Sequence, residues 1–137
     1  MFSKANIIST IVTGFWGMMG GFLLWGIIAE PLMTDNMLPG LLKETPDWFH
    51  LALGCLIQAF GFCSIYRKYG RGEYSAKDGL GMGALVGLMI GAGEKLIDFA
   101  TSNMMDFQGT LINFATYLVF FGVTGMLAGI IYRKFGS

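Results

Sequence analysis

The chain has 137 residues, 54% of them hydrophobic and 13% charged, which is too apolar for an ordinary water-soluble fold of this size and predicts one all-α domain in lipid. Nine basic and nine acidic residues cancel, so the cationic excess that binding to nucleic acid requires is missing. Cys55 and Cys63 lie in one apolar stretch, where a rise of about 1.5 Å per residue sets their backbones roughly 12 Å apart and rules out a disulfide between them.

Four apolar stretches predict four transmembrane helices, 7–29, 49–66, 80–99 and 111–132, each close to the ~20 residues that cross ~30 Å of hydrocarbon. The first follows Lys4. It is too long for a secretory leader and lacks a small-residue cleavage pattern after it, so it reads as a retained span. Thr10, Gly14, Gly17 and Gly21 give it a small-residue face. The loop that follows carries Pro31, Pro39, Gly40 and Pro46 among the acids Glu30, Asp35, Glu44 and Asp47, and leaves space for a short interfacial helix.

The second span opens with Trp48 and Phe49 and closes with Tyr66 and Tyr69; with Tyr132 of the fourth span, these rings suit the headgroup layer. Gln58 within it calls for a hydrogen-bond partner on another helix. His50, at the outer boundary, reads either as an interfacial side chain or as an axial ligand for a haem or chlorophyll-type metal. The short connection 67–78 carries Arg67, Lys68, Arg71 and Lys77. Together with Lys4, Arg133 and Lys134, seven of the nine basic residues fall on one side, leaving Lys43 and Lys95 on the other. The positive-inside rule places both termini and this connection in the cytoplasm.

The third span holds Gly79, Gly83, Gly87 and Gly91, one every fourth residue, a glycine zipper that lets another backbone approach closely. Beyond it stand Glu94, Lys95 and Asp98. Ionisable groups inside a span are costly, and helical geometry puts Glu94 and Asp98 within about 60° of Gly91, pointing into protein. They form a candidate proton or cation site, with Glu30 as a possible companion. Lys95 and Asp98 are equally spaced for a plain i,i+3 ion pair. The fourth span sets Gly122, Gly125 and Gly129 on one face and Asn113, Thr116 and Thr124 roughly opposite. With two faces unsuited to lipid, one is expected to meet another subunit. The second and fourth spans end alike, in 65–70 and 131–136, which suggests two parallel helical hairpins.

Asp78-Gly79 opening a glycine-laddered span, and a following span ending in glycines, resemble a family of small bacterial four-span membrane proteins known only as a domain of unknown function. The resemblance covers residues 77–130 best. In the first half that family's tryptophan-tyrosine motif is replaced by Leu24-Trp25-Gly26. The resemblance implies four helices and no activity, cofactor or site.

Three readings follow. The leading one is a non-enzymatic accessory or structural subunit with no cofactor, packed in lipid against itself or other membrane subunits, because the loops hold no nucleophile–base pair, phosphate loop or metal set. The second is a small proton- or cation-coupled transporter or channel using Glu94 and Asp98. The third is a haem- or pigment-binding subunit through His50.

Overall fold

The computed structural model describes residues 3–33, 35, 47–103 and 105–136. Four long helices dominate it: α1 (Lys4–Ala29), α2 (Trp48–Gly70), α3 (Ala76–Thr101) and α4 (Phe107–Phe135). A further helical turn, Glu30–Met33, continues α1. With 23 to 29 residues, each is about 34 Å or more in length and long enough to cross the hydrocarbon core. The interfacial helix expected in the first loop falls on residues 36–46, outside the described residues.

The helices begin three, one, four and four residues before the predicted spans, and the cause is the same each time. Ser3, Asp47, Ser75 and Asp106 cap the four N-termini, accepting hydrogen bonds from the backbone N–H groups of Asn6, His50, Asp78 and Gly109. A side-chain oxygen at this position satisfies a backbone donor that the helix itself leaves unpaired. Helix therefore starts in the polar layer, ahead of the apolar run. At the far end of α2, Arg71 (φ 52°) and Gly72 (φ 91°) take up left-handed backbone and turn the chain back toward α3.

Helix α4 is central. Of its most apolar stretch 39% is buried, against 17 to 22% for the other three. It packs along α3 on one side and α1 on the other, α1 packs in turn on α2, and α2 meets α3 only lightly. The order across the bundle is therefore α2, α1, α4, α3. The two hairpins do not repeat each other in packing, since α1 lies on α4 while α3 has no matching contact with α2. The similar helix ends do share one feature: Tyr66 and its counterpart Tyr132 are both fully buried, with rings 5.5 Å apart.

Burial is reversed relative to a water-soluble protein. The interior contains Asn6, Ser9, Thr13, Ser64, Thr110 and Thr124, whereas Ile11, Phe15, Ile57 and Met89 are each at least 60% exposed. Water would penalise that surface heavily, while lipid tails are as apolar as the side chains that meet them. Small residues inside and large aliphatic ones outside are what close helix contact in hydrocarbon selects.

The start of α1, the end of α4 and the 71–75 connection gather at one end of the bundle. Lys4 Nζ lies 5.3 Å from the Phe135 ring, and the Tyr74 and Tyr132 rings are 4.8 Å apart. This end carries the seven basic residues of the predicted cytoplasmic side.

Candidate functional site

At the opposite end, the predicted ionisable cluster only partly assembles. Lys95 Nζ lies 3.5 Å from Asp98 Oδ2 and 5.6 Å from the centroid of the Tyr117 ring, with both charged side chains partly exposed. Glu94 does not point into the protein as its phase predicts. It is exposed and makes no ion pair or hydrogen bond among the described residues. The reason is local: residues 88–94 form a π-helical stretch, whose wider turn carries Glu94 off the glycine face that an unbroken α-helix would give it. The side chain of Glu30 lies outside the described residues.

His50 caps this end of α2 together with Asp47. Its Nδ1 is 2.6 Å from Asp47 Oδ2, its backbone N–H donates to Asp47 Oδ1 over 3.2 Å, and its ring meets Phe49 edge-on. The side-chain hydrogen bond from His50 holds the Asp47 carboxyl below its ordinary value. A depressed carboxylate stabilises the fold above its unfolded pKa of about 3.9 and loses that contribution as pH falls through the folded value. The expected result is steady protection of the His50 amide between pH 5 and 8 in hydrogen exchange, with protection dropping only below about pH 4.

The glycine faces of α3 and α4 meet each other, whereas that of α1 meets side chains of α2. A methyl group added at Gly79 or Gly125 would overlap the other's carbonyl oxygen; at Gly83 it would overlap that of Phe121, and at Gly129 that of Ser75. Further along, the added Cβ would stand 3.1 Å from Leu118 Cα at Gly87 and 2.6 Å from Tyr117 Cβ at Gly91, while at Gly122 it would stand 3.2 Å from Leu80 Cδ1. On α1, Gly14 approaches Leu56 and Gly17 approaches Cys55 of α2, with distances of 2.9 and 3.3 Å from the added Cβ. Gly21 is a correction: a Cβ there meets nothing within 4 Å. The inner stripe of α1 runs instead through Asn6, Ser9, Thr13, Gly17 and Gly20, polar in its first two turns and glycine in the next two.

The polar face of α4 is also used within the chain. Asn113 Oδ1 accepts from Trp25 Nε1 at 2.8 Å, Thr124 is buried and donates to the Phe120 carbonyl, and Thr116 donates to that of Ile112. Asn113 thus finds its partner on α1, while Thr116 and Thr124 are satisfied within α4 itself.

The sequence gives little warning of a polar core at the basic end. Tyr132 donates to Asn6 Oδ1 at 2.6 Å and approaches the Cys63 carbonyl at 3.2 Å, while Asn6 Nδ2 donates to Ser64 Oγ at 3.2 Å. Thr13 Oγ1 donates to the Ser9 carbonyl and lies 3.5 Å from Cys63 Sγ. Tyr66 donates to the Ser75 carbonyl and Tyr74 to that of Arg67. Tyr66 and Tyr132 are therefore interior residues joining α1, α2 and α4, not headgroup anchors; of the three predicted tyrosine anchors, only Tyr69 is substantially exposed. Beside this core a shallow depression of about 510 Å³ opens, lined by Glu73, Asp78 and Arg133 among others. Its mixed charges select no ligand class.

Apolar length and reversed burial together decide the class. The chain is an integral membrane protein. No family model matches it, and neither does any characterised protein or solved structure. Among the described residues no three His, Cys, Asp or Glu side chains are grouped to hold a metal ion. What the interior offers chemically is neutral hydrogen bonding and close backbone contact.

Proposed function

We propose that this protein is a non-enzymatic subunit of a bacterial inner membrane, acting by packing against a second copy of itself or within a larger membrane assembly. One observation carries this reading: among the described residues, no carboxylate, ammonium, guanidinium or imidazole group is buried. Ion and proton pathways through a bundle are built on ionisable groups facing its interior or a water-filled cavity. Here Glu94 lies on the outer surface and Asp98 is paired with Lys95, which favours a structural role over transport.

The test is extraction in mild detergent at physiological salt. The reading expects a particle larger than one chain, colourless, and a lone monomer with no co-purifying chain contradicts it. In proteoliposomes it expects no proton or cation flux. Glu94→Gln and Asp98→Asn should leave the assembly unchanged, with stability within about 0.5 kcal/mol of the native protein. A native flux abolished by either substitution would establish the transport reading instead.

A further inference from the structure

Helix α2 meets its own chain through one face, turning Ala59, Phe62, Cys63 and Tyr66 inward. The other face carries Gly54, Gln58, Gly61 and Ile65, which a turn of about 100° per residue gathers within roughly 60°. A methyl group added at Gly54 or Gly61 would meet nothing within 4 Å, and Ile65 is 59% exposed. Gln58 is exposed as well, near the middle of the 23-residue helix, so about 15 Å of span separates it from the outer end. Its side chain is too short to reach either headgroup layer.

Among the described residues two amides on the long helices make no hydrogen bond: Gln108, exposed in the first turn of α4, and Gln58, deep within α2. Asn6 binds Ser64 and Tyr132, and Asn113 binds Trp25. An amide left unpaired in hydrocarbon is strongly penalised, so the environment of Gln58 has to provide both an acceptor and a donor. A carboxamide presents two N–H donors and a carbonyl acceptor and is complementary to itself. A two-fold axis along the membrane normal, through this face, would bring two Gln58 amides together in reciprocal hydrogen bonds. Gly54 and Gly61, one turn to either side and seven residues apart, would let the two backbones close to that distance and stay in register along a left-handed crossing.

We infer that two copies of this chain pair through α2 in a parallel dimer centred on Gln58. The inference rests on the packing-subunit reading and specifies its interface. It is tested by measuring the monomer–dimer equilibrium of the full chain by single-molecule photobleaching in lipid vesicles over a range of protein densities. Native protein should be dimeric. Gln58→Leu should weaken the dimer about tenfold, Gly61→Leu at least as much, and Gln58→Asn should retain part of the affinity. Gly81→Leu, on an open face of α3, should have no effect. None of these positions contacts its own chain closely, so helicity measured by circular dichroism should be unchanged in all four variants.

A dimer indifferent to Gln58→Leu and Gly61→Leu overturns the interface while leaving the packing reading in place. A native protein that stays monomeric at every density, with no other chain bound, overturns both. A different membrane protein held in a Gln58-dependent way overturns the second copy as occupant.

Discussion

Replacing Gly83 with alanine should loosen the contact between α3 and α4, while the same change at Gly81, two residues away, should leave the bundle intact. A Cβ at Gly83 overlaps the carbonyl oxygen of Phe121, which belongs to helix backbone and cannot turn aside; at Gly81 it meets nothing within 4 Å. Overpacking of this kind costs about 1–3 kcal/mol, and more as the added side chain grows. Gly83→Leu is therefore expected to separate the two helices outright. Substitutions at exposed positions usually stay within about 0.5 kcal/mol, which is the expectation for Gly81→Ala. Gly79 and Gly125 face each other, so alanine at both should cost less than the sum of the single changes: once one methyl has pushed the helices apart, the second finds room. Unfolding of each variant in mixed detergent micelles reads these differences, and equal stabilities for the Gly83 and Gly81 variants would refute the close backbone contact.

The second large effect lies at the basic end. Tyr132→Phe removes the hydroxyl that serves Asn6 and the Cys63 carbonyl in a site with no exposure, and is expected to cost about 1–2 kcal/mol. Asn6→Ala also strands Ser64 and should cost at least as much. Because the two share a hydrogen bond, the double variant should be less destabilised than the sum by about 1 kcal/mol. Strict additivity in the same unfolding assay would mean that the Tyr132–Asn6 bond contributes nothing to the bundle.

The features legible in the sequence are those governed by composition and by an unbroken 3.6-residue period. The four spans follow from apolar length, and the four-residue spacing marks Gly79, Gly83 and Gly87 as one face, but only the packing shows that it meets Gly125 and Gly129. Helix starts were less visible, because hydropathy registers the apolar run and not the capping oxygens of Ser3, Ser75 and Asp106 that begin each helix earlier. Asn6 lies in that overlooked first turn, which hides the polar core it anchors. Tyr66 and Tyr132 fit a headgroup position by sequence, and only tertiary contacts show their hydroxyls turned inward to partners on other helices. Glu94 departs from its expected face because a π-helical turn shifts the phase, and no residue pattern in 88–94 announces such a turn. Asn113, on the polar face of α4, is met by Trp25 of α1 across the bundle, a pairing that spacing along one helix does not reveal.

The most direct test of the account is the side of the membrane reached by three single cysteines, at Ser3, Glu73 and Asn103, each in a chain lacking Cys55 and Cys63 and probed with a membrane-impermeant thiol reagent on intact cells. The four-span arrangement with its basic end inward predicts labelling at 103 in intact cells, and at 3 and 73 only after the membrane is opened. Labelling of 3 or 73 from outside, or of 73 and 103 from the same side, would contradict it.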